Sequence, residues 1–205
     1  MAVSANRDVF VNCPFDPTYK GLFDAIVFTV IRSGFRARCA LETDDAGDNR
    51  LAKICSVIAQ CRYGVHDISR TEADGDPPLP RFNMPLELGL FLGARLYGGR
   101  EQKGKRCIVF DRERYRYQRY MSDIAGQDIH SHDGSERRLI EELAAWLRDQ
   151  SRDRSVPGGR AIITEYEAFK AELPAICSAR GLEVDELTFG DFNAIVVEYL
   201  TAGQG

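Results

Sequence analysis

Residues 7–34 read RDVFVNCPFDPTYKGLFDAIVFTVIRSG, and their two halves follow two different periods. RDVFVN (7–12) is short, β-rich and closed by Cys13-Pro14, which predicts a strand ending where proline removes a ladder donor. In residues 19–34, Leu22, Phe23, Ile26, Val27, Val30 and Ile31 recur at helical spacing, and Gly34 stops the pattern. A strand that feeds straight into an amphipathic helix is the opening of a βαβ unit.

The alternation continues outward. FRARCALE (35–42) predicts a weaker strand, and DNRLAKICSVIAQC (48–61) a helix with Asp48 or Asn49 as its cap. RYGVHDIS (62–69) predicts a third strand and FNMPLELGLFLGAR (82–95) a third helix. KRCIVFD (105–111) is the clearest strand, QDIH (127–130) a short fifth, and SERRLIEELAAWLRDQ (135–150) a strongly amphipathic helix. Strands alternating with helices predict right-handed crossovers and a parallel sheet. The expected fold is α/β, a flavodoxin-like doubly wound sheet of about five parallel strands over residues 1–150. Residues 151–205 form a C-terminal helical appendage after the linker SRDRSVPGGR, with one helix interrupted near Pro174 and a second over 189–200. Docking of these helices on the core is favoured over pairing with a second subunit.

The chain has 205 residues, 44% of them hydrophobic and 28% charged, enough for one sizeable core. A net charge of −4 argues against a broad nucleic-acid or membrane-surface partner. The six cysteines form no CxxC pair or zinc-like spacing, and most lie in apolar runs, which predicts buried free thiols. No signal-peptide core and no membrane-length apolar run is visible, so the expected location is cytoplasmic.

Open parallel sheets bind ligands beyond the carboxyl ends of their strands. The segments there carry Asp16, Glu42, Asp44, Asp45, Asp67 and Asp111, interspersed with Arg50, Arg70, Arg81 and Arg112. Asp67 closes a strand, where it either points into the crevice or caps a turn for DIS. Phe15 either stacks on a flat base or covers the sheet end. Glu87 is the one acid in an otherwise apolar helix, expected to be packed on every side. Placed in the first turn after Pro85, it either caps free backbone amides or does chemistry. His66, His130 and His132 are scattered and point to surface or turn roles rather than a metal. No Walker A loop, GxGxxG, HExxH or GxSxG occurs, which disfavours phosphate-cradling and common hydrolytic mechanisms. A receiver-type phosphoacceptor would need an acidic pair after strand one and a lysine after strand five; NCPFD and HSHDG stand there instead.

VFVNCPFD, CRYGVHDIS and FNMPLELGLFLGAR, in that order on alternating units, resemble the superfamily linking nucleoside deoxyribosyltransferases with TIR-like nucleotide-binding domains. The closer likeness is to uncharacterised bacterial TIR-like proteins, over residues 7–148. The resemblance implies that Glu87 is the working carboxylate and that Asp67 helps to hold a sugar. Asn12, Cys13, Pro14, Phe15, Asp16 and Asn83 would line the substrate, with Arg50, Arg70 and Arg81 toward its phosphates. It further implies N-glycosidase chemistry on NAD or a related nucleotide, with NAD as substrate and no cofactor or metal, in bacterial stress or phage defence. A homo-oligomer is compatible with it. The alternatives are a non-catalytic nucleotide-binding signalling module and a nucleoside deoxyribosyltransferase. Asn83-Met84 and Asn12 replace the Gly-Thr pair and the aromatic hydroxyl usual in the transferases, which weakens that last reading.

Overall fold

The computed structural model describes residues 6–42, 47, 49–74 and 79–203. Asp44, Asp45 and Asp48 lie outside the described residues. Five parallel strands form the sheet: β1 (Asp8–Asn12), β2 (Arg36–Arg38), β3 (Tyr63–Asp67), β6 (Arg106–Asp111) and β7 (Ile129–Ser131). Their order is β2-β1-β3-β6-β7, the flavodoxin-like doubly wound arrangement. Two two-residue strands, β4 (Ala73–Asp74) and β5 (Leu79–Pro80), make a separate antiparallel pair in the connection after β3.

Six helices cover the two faces. Helices α1 (Lys20–Arg32), α4 (Glu136–Ser151), α5 (Gly159–Ala179) and α6 (Phe189–Ala202) share one core with Val9, Val11, Tyr63, Val65, Ile108 and Phe110. Helices α2 (Arg50–Gln60) and α3 (Asn83–Tyr97) cover the other face over Phe10 and Val109. The period-two alternation of each strand thus sends odd residues of β1 toward α1 and even ones toward α2 and α3. β3 is buried on both faces along its whole length, as a central parallel strand should be.

Helix α1 stops where the sequence said it would. Phe35 N–H donates to Val30 O (3.0 Å) and Gly34 N–H to Ile31 O (2.9 Å), with Gly34 at φ 79°. That paired closure requires a left-handed residue, which glycine supplies without a Cβ clash. Asn49 caps α2 by accepting from Ala52 N–H at 3.1 Å.

Three expectations need correction. Helix α5 runs unbroken through Pro174, because its buried stripe of Ile162, Tyr166, Phe169, Leu173 and Cys177 packs on the core to either side of the proline. That burial outweighs a proline cost of about 3 kcal/mol. Helix α3 is not packed all round: Leu86, Leu96 and Tyr97 are exposed, and only Met84, Glu87, Leu88 and Phe91 are buried. Among the cysteines, all of them free thiols, Cys55 is exposed.

Candidate functional site

The strand order reverses between β1 and β3, whose following helices, α1 and α3, lie on opposite faces. The crevice beyond the carboxyl ends of these two strands is where this fold binds ligands. Asn12 to Asp16, Asp67 to Arg70 and the start of α3 all converge there.

Helix α3 starts at Asn83, two residues ahead of Pro85, and its first α-helical bond runs from Leu86 N–H to Phe82 O at 2.9 Å. Pro85 is therefore the third helical residue, where a missing N–H is harmless because the first four have no helical partner. Glu87 consequently sits in the second turn, not the first as the sequence suggested, and no acid occupies the first turn. It caps nothing. Its residue is 8% exposed, and it has no hydrogen bond or ion pair among the described residues. Burial pushes its carboxyl up to about 7, partly countered by the positive charge of Arg50 at the start of α2.

Asn12 braces this helix. Its Nδ2 donates to Met84 O (2.9 Å) and lies 3.0 Å from His66 Nδ1. Both side chains are buried, so Asn12 acts as a strut between β1, β3 and α3. His66 packs edge-on against Phe10 and Phe91, and burial lowers its pKa to about 3. It is neutral at physiological pH.

Asp67, expected to hold a sugar, is closed off from solvent and has its oxygens engaged by the protein. Oδ1 accepts from Ser69 N–H (2.8 Å), which is the turn for DIS; Oδ2 accepts from Tyr19 O–H (2.6 Å). His132 Nε2 stands 3.0 Å from Oδ2, and His132 Nδ1 accepts from Gly134 N–H at 2.9 Å. Asp67 follows Tyr63 and Val65 toward α1, whereas Glu87 belongs to α3 on the opposite face. The two carboxylates therefore lie on different sides of the sheet, and only Glu87 is left without a bonded partner among the described residues.

Cys13 packs in the core on the α1 side, close enough to feel both charges. Burial raises its thiol well above the usual range, and the carboxylates of Asp67, Glu87 and Asp16 add to the effect. Pro14 is buried beside it, and Phe15 turns outward, 38% exposed, edge-on to Phe23 at 5.3 Å. Asp16 gathers two of the expected arginines: Arg70 at 3.5 Å and Arg81 at 3.8 Å. Thr18 O–H donates to Asp16 Oδ1 at 2.5 Å, and together these interactions hold its carboxyl below the usual range despite some burial. Asn83 is exposed at the first position of α3.

Sequence reading missed three residues here. Tyr19 and His132 come from distant elements and carried no local signal for Asp67. His66 is a core residue of β3, not a surface or turn one, whereas His132 is buried and does hold the turn before α4, its carbonyl accepting from Ser135 N–H at 2.8 Å. The third is Arg116, which binds Asp111 at the end of β6 through Nε (2.8 Å) while donating from its η2 nitrogen to Ser69 O (2.8 Å). It ties the β6 rim to the β3 rim. No group of three His, Cys, Asp or Glu side chains among the described residues is arranged to hold a metal. No helix among them is long and apolar enough to cross a membrane. Compared with family models, curated proteins and solved structures, the chain matches none.

Proposed function

We propose that the protein is a nucleotide N-glycosidase acting on NAD or a close relative, with Glu87 as the working carboxylate. One observation carries this reading: a buried, unpaired glutamate stands at the sheet's switch point with no structural task, and its pKa is raised to about 7. Leaving such a group unpaired costs stability, and that cost is tolerated where chemistry uses it. Breaking the C1′–N bond builds positive charge on the ribose, and a carboxylate in an apolar wall stabilises or traps that charge. A cationic nicotinamide leaves as a neutral base and requires no proton. One free carboxylate therefore suffices, which suits a site where Asp67 is already committed to Tyr19 and Ser69. The substrate's own positive charge would draw Glu87 toward its ionised form on binding. In this reading Phe15, exposed beyond β1, would meet the base, and the Asp16, Arg70 and Arg81 group would meet the ribose and phosphates.

The test is nicotinamide release from NAD by the purified chain, compared with Glu87→Gln and repeated at high protein concentration. Loss of about 10²-fold or more in kcat is expected for the variant. Equal turnover by both proteins would remove Glu87 from the chemistry. The closure of Asp67 favours a second reading, a nucleotide-binding signalling module without turnover; a nucleotide that raises the Tm without being cleaved would mark it. Exchange of bases between deoxynucleosides would instead mark a deoxyribosyltransferase.

A further inference from the structure

We infer a second ligand site at the opposite, amino-terminal end of the sheet: an arginine-lined cavity that takes a small ligand bearing two or more phosphate groups. The cavity has a volume of about 780 Å³ and is lined by Arg62, Arg106, Arg148, Arg152 and Arg154, with Asp149 as its single acid. Three separate stretches of chain supply the guanidinium groups. β3 and β6 are parallel neighbours, with Tyr63 opposite Arg106 and Arg106 N–H donating to Arg62 O at 3.0 Å, so Arg62, just before β3, and Arg106, the first residue of β6, stand at the same edge. Helix α4 ends against that edge. It contributes Arg148 from its last turn, Arg152 from a left-handed C-cap at φ 57°, and Arg154 just beyond.

None of the five arginines has an ion pair with a carboxylate among the described residues. Asp153, between Arg152 and Arg154 in sequence, is turned away to Arg7 and to the amide and hydroxyl of Ser155. Asp149 accepts from Gln150 at 2.8 Å. Many arginines elsewhere on the molecule pair with acids, as Arg32 does with Glu165, Arg36 with Asp8 and Arg180 with Glu198. With 31 acids to 27 bases in the chain, a gathering of five unneutralised cations is not the average surface.

The plainer explanation is that cations at the C-terminus of α4 answer its dipole. That accounts for Arg148 and Arg152. It does not account for Arg62 and Arg106, which sit at strand starts, nor for the concavity between them. Like charges held this close repel, and an anion bound among them relieves the repulsion. The arginine fork matches phosphate oxygens two at a time, and the volume suits a small molecule. The one aromatic lining residue, Tyr63, is buried, so no ring face is offered to a base. Recognition would rest on the phosphates. The five arginines line one cavity and come from three stretches of chain, which favours a compact polyanion over a nucleic-acid backbone.

The experiment is calorimetric titration of the full chain with inorganic tripolyphosphate near physiological ionic strength. Saturable one-to-one binding is expected. The double variants Arg62→Gln/Arg106→Gln and Arg148→Gln/Arg154→Gln should each weaken it about tenfold or more, because these exposed side chains can change without disturbing the core. Arg114→Gln/Arg119→Gln, on the opposite rim, should leave it unchanged. Absence of saturable binding, or an equal loss in the opposite-rim variant, overturns the assignment. So does tighter binding of a single-stranded oligonucleotide than of tripolyphosphate, which would make the surface a nucleic-acid one. Glu87→Gln should bind tripolyphosphate as the parent does, whatever the fate of the NAD reading.

Discussion

Asn12 Nδ2 donates to Met84 O at 2.9 Å, joining the last residue of β1 to the first turn of α3 across the face that the helix covers. The same amide group lies 3.0 Å from His66 Nδ1, so one buried side chain links two strands and the helix that carries Glu87. Asn12→Leu keeps the volume but leaves His66 Nδ1 without that partner. A loss of about 1–3 kcal/mol is expected in urea unfolding. A variant as stable as the parent would show that the strut is dispensable.

Glu87 should make the protein less stable as the medium becomes less acidic. Burial raises its carboxyl from 4.5 to about 7, so across that interval the folded chain holds a proton that the unfolded chain has released. Stability therefore falls as pH rises through the window, is fully retained below about 4.5, and is lost above about 7. Glu87→Gln removes the dependence. The variant is expected to exceed the parent by about 2–3 kcal/mol near pH 8 and to converge on it near pH 4. Denaturation at the two pH values decides, and parallel stabilities would rule out a buried ionised carboxylate. A substitution that abolishes chemistry while stabilising the fold would be the usual trade at a working site.

The alternation of period two and period 3.6 made the sheet legible from residues 7–34 onward, because each period reports which face is buried. Glu87 was legible as an anomaly for the same reason: it breaks an apolar run. Its register was not. Proline is tolerated anywhere in a first turn, so Pro85 did not fix whether α3 began at or before it. That two-residue difference decides whether Glu87 caps amides or stands free. Asp67 was ambiguous because its partners, Tyr19 and His132, lie on other elements and meet only in the fold. The whole-chain charge of −4 hid the arginine cavity, since a sum carries no information about where charges gather.

Tyr19 tests whether Asp67 is architecture or ligand. The phenol hydroxyl donates to Asp67 Oδ2 at 2.6 Å in a buried setting, a charge-assisted bond. Tyr19→Phe removes only that donor. A destabilisation of about 1.5–3 kcal/mol is expected, with KM for NAD within a few-fold of the parent wherever turnover is measurable. A variant of unchanged stability but much higher KM would return Asp67 to the sugar.

Gly64 lies in β3 beneath α3, and a Cβ built there would meet His66 Nε2 at 2.7 Å and the Phe91 ring at 2.9 Å. Phe91 is wholly buried, and Lys105 Nζ sits over its ring at 4.8 Å while donating to Ile58 O at 2.5 Å. Neither ring has room to retreat, because one is held by Asn12 and the other by the α2–α3 core. Gly64→Ala must lift α3 from the sheet or force an off-rotamer ring, at a cost of about 1–3 kcal/mol. Lifting α3 also moves Glu87, so nicotinamide release should fall by more than the lost folded fraction explains. Thermal unfolding and turnover measured on the same sample separate the two effects. Full activity in a stable Gly64→Ala protein would mean that the site does not depend on how closely α3 seats against β3.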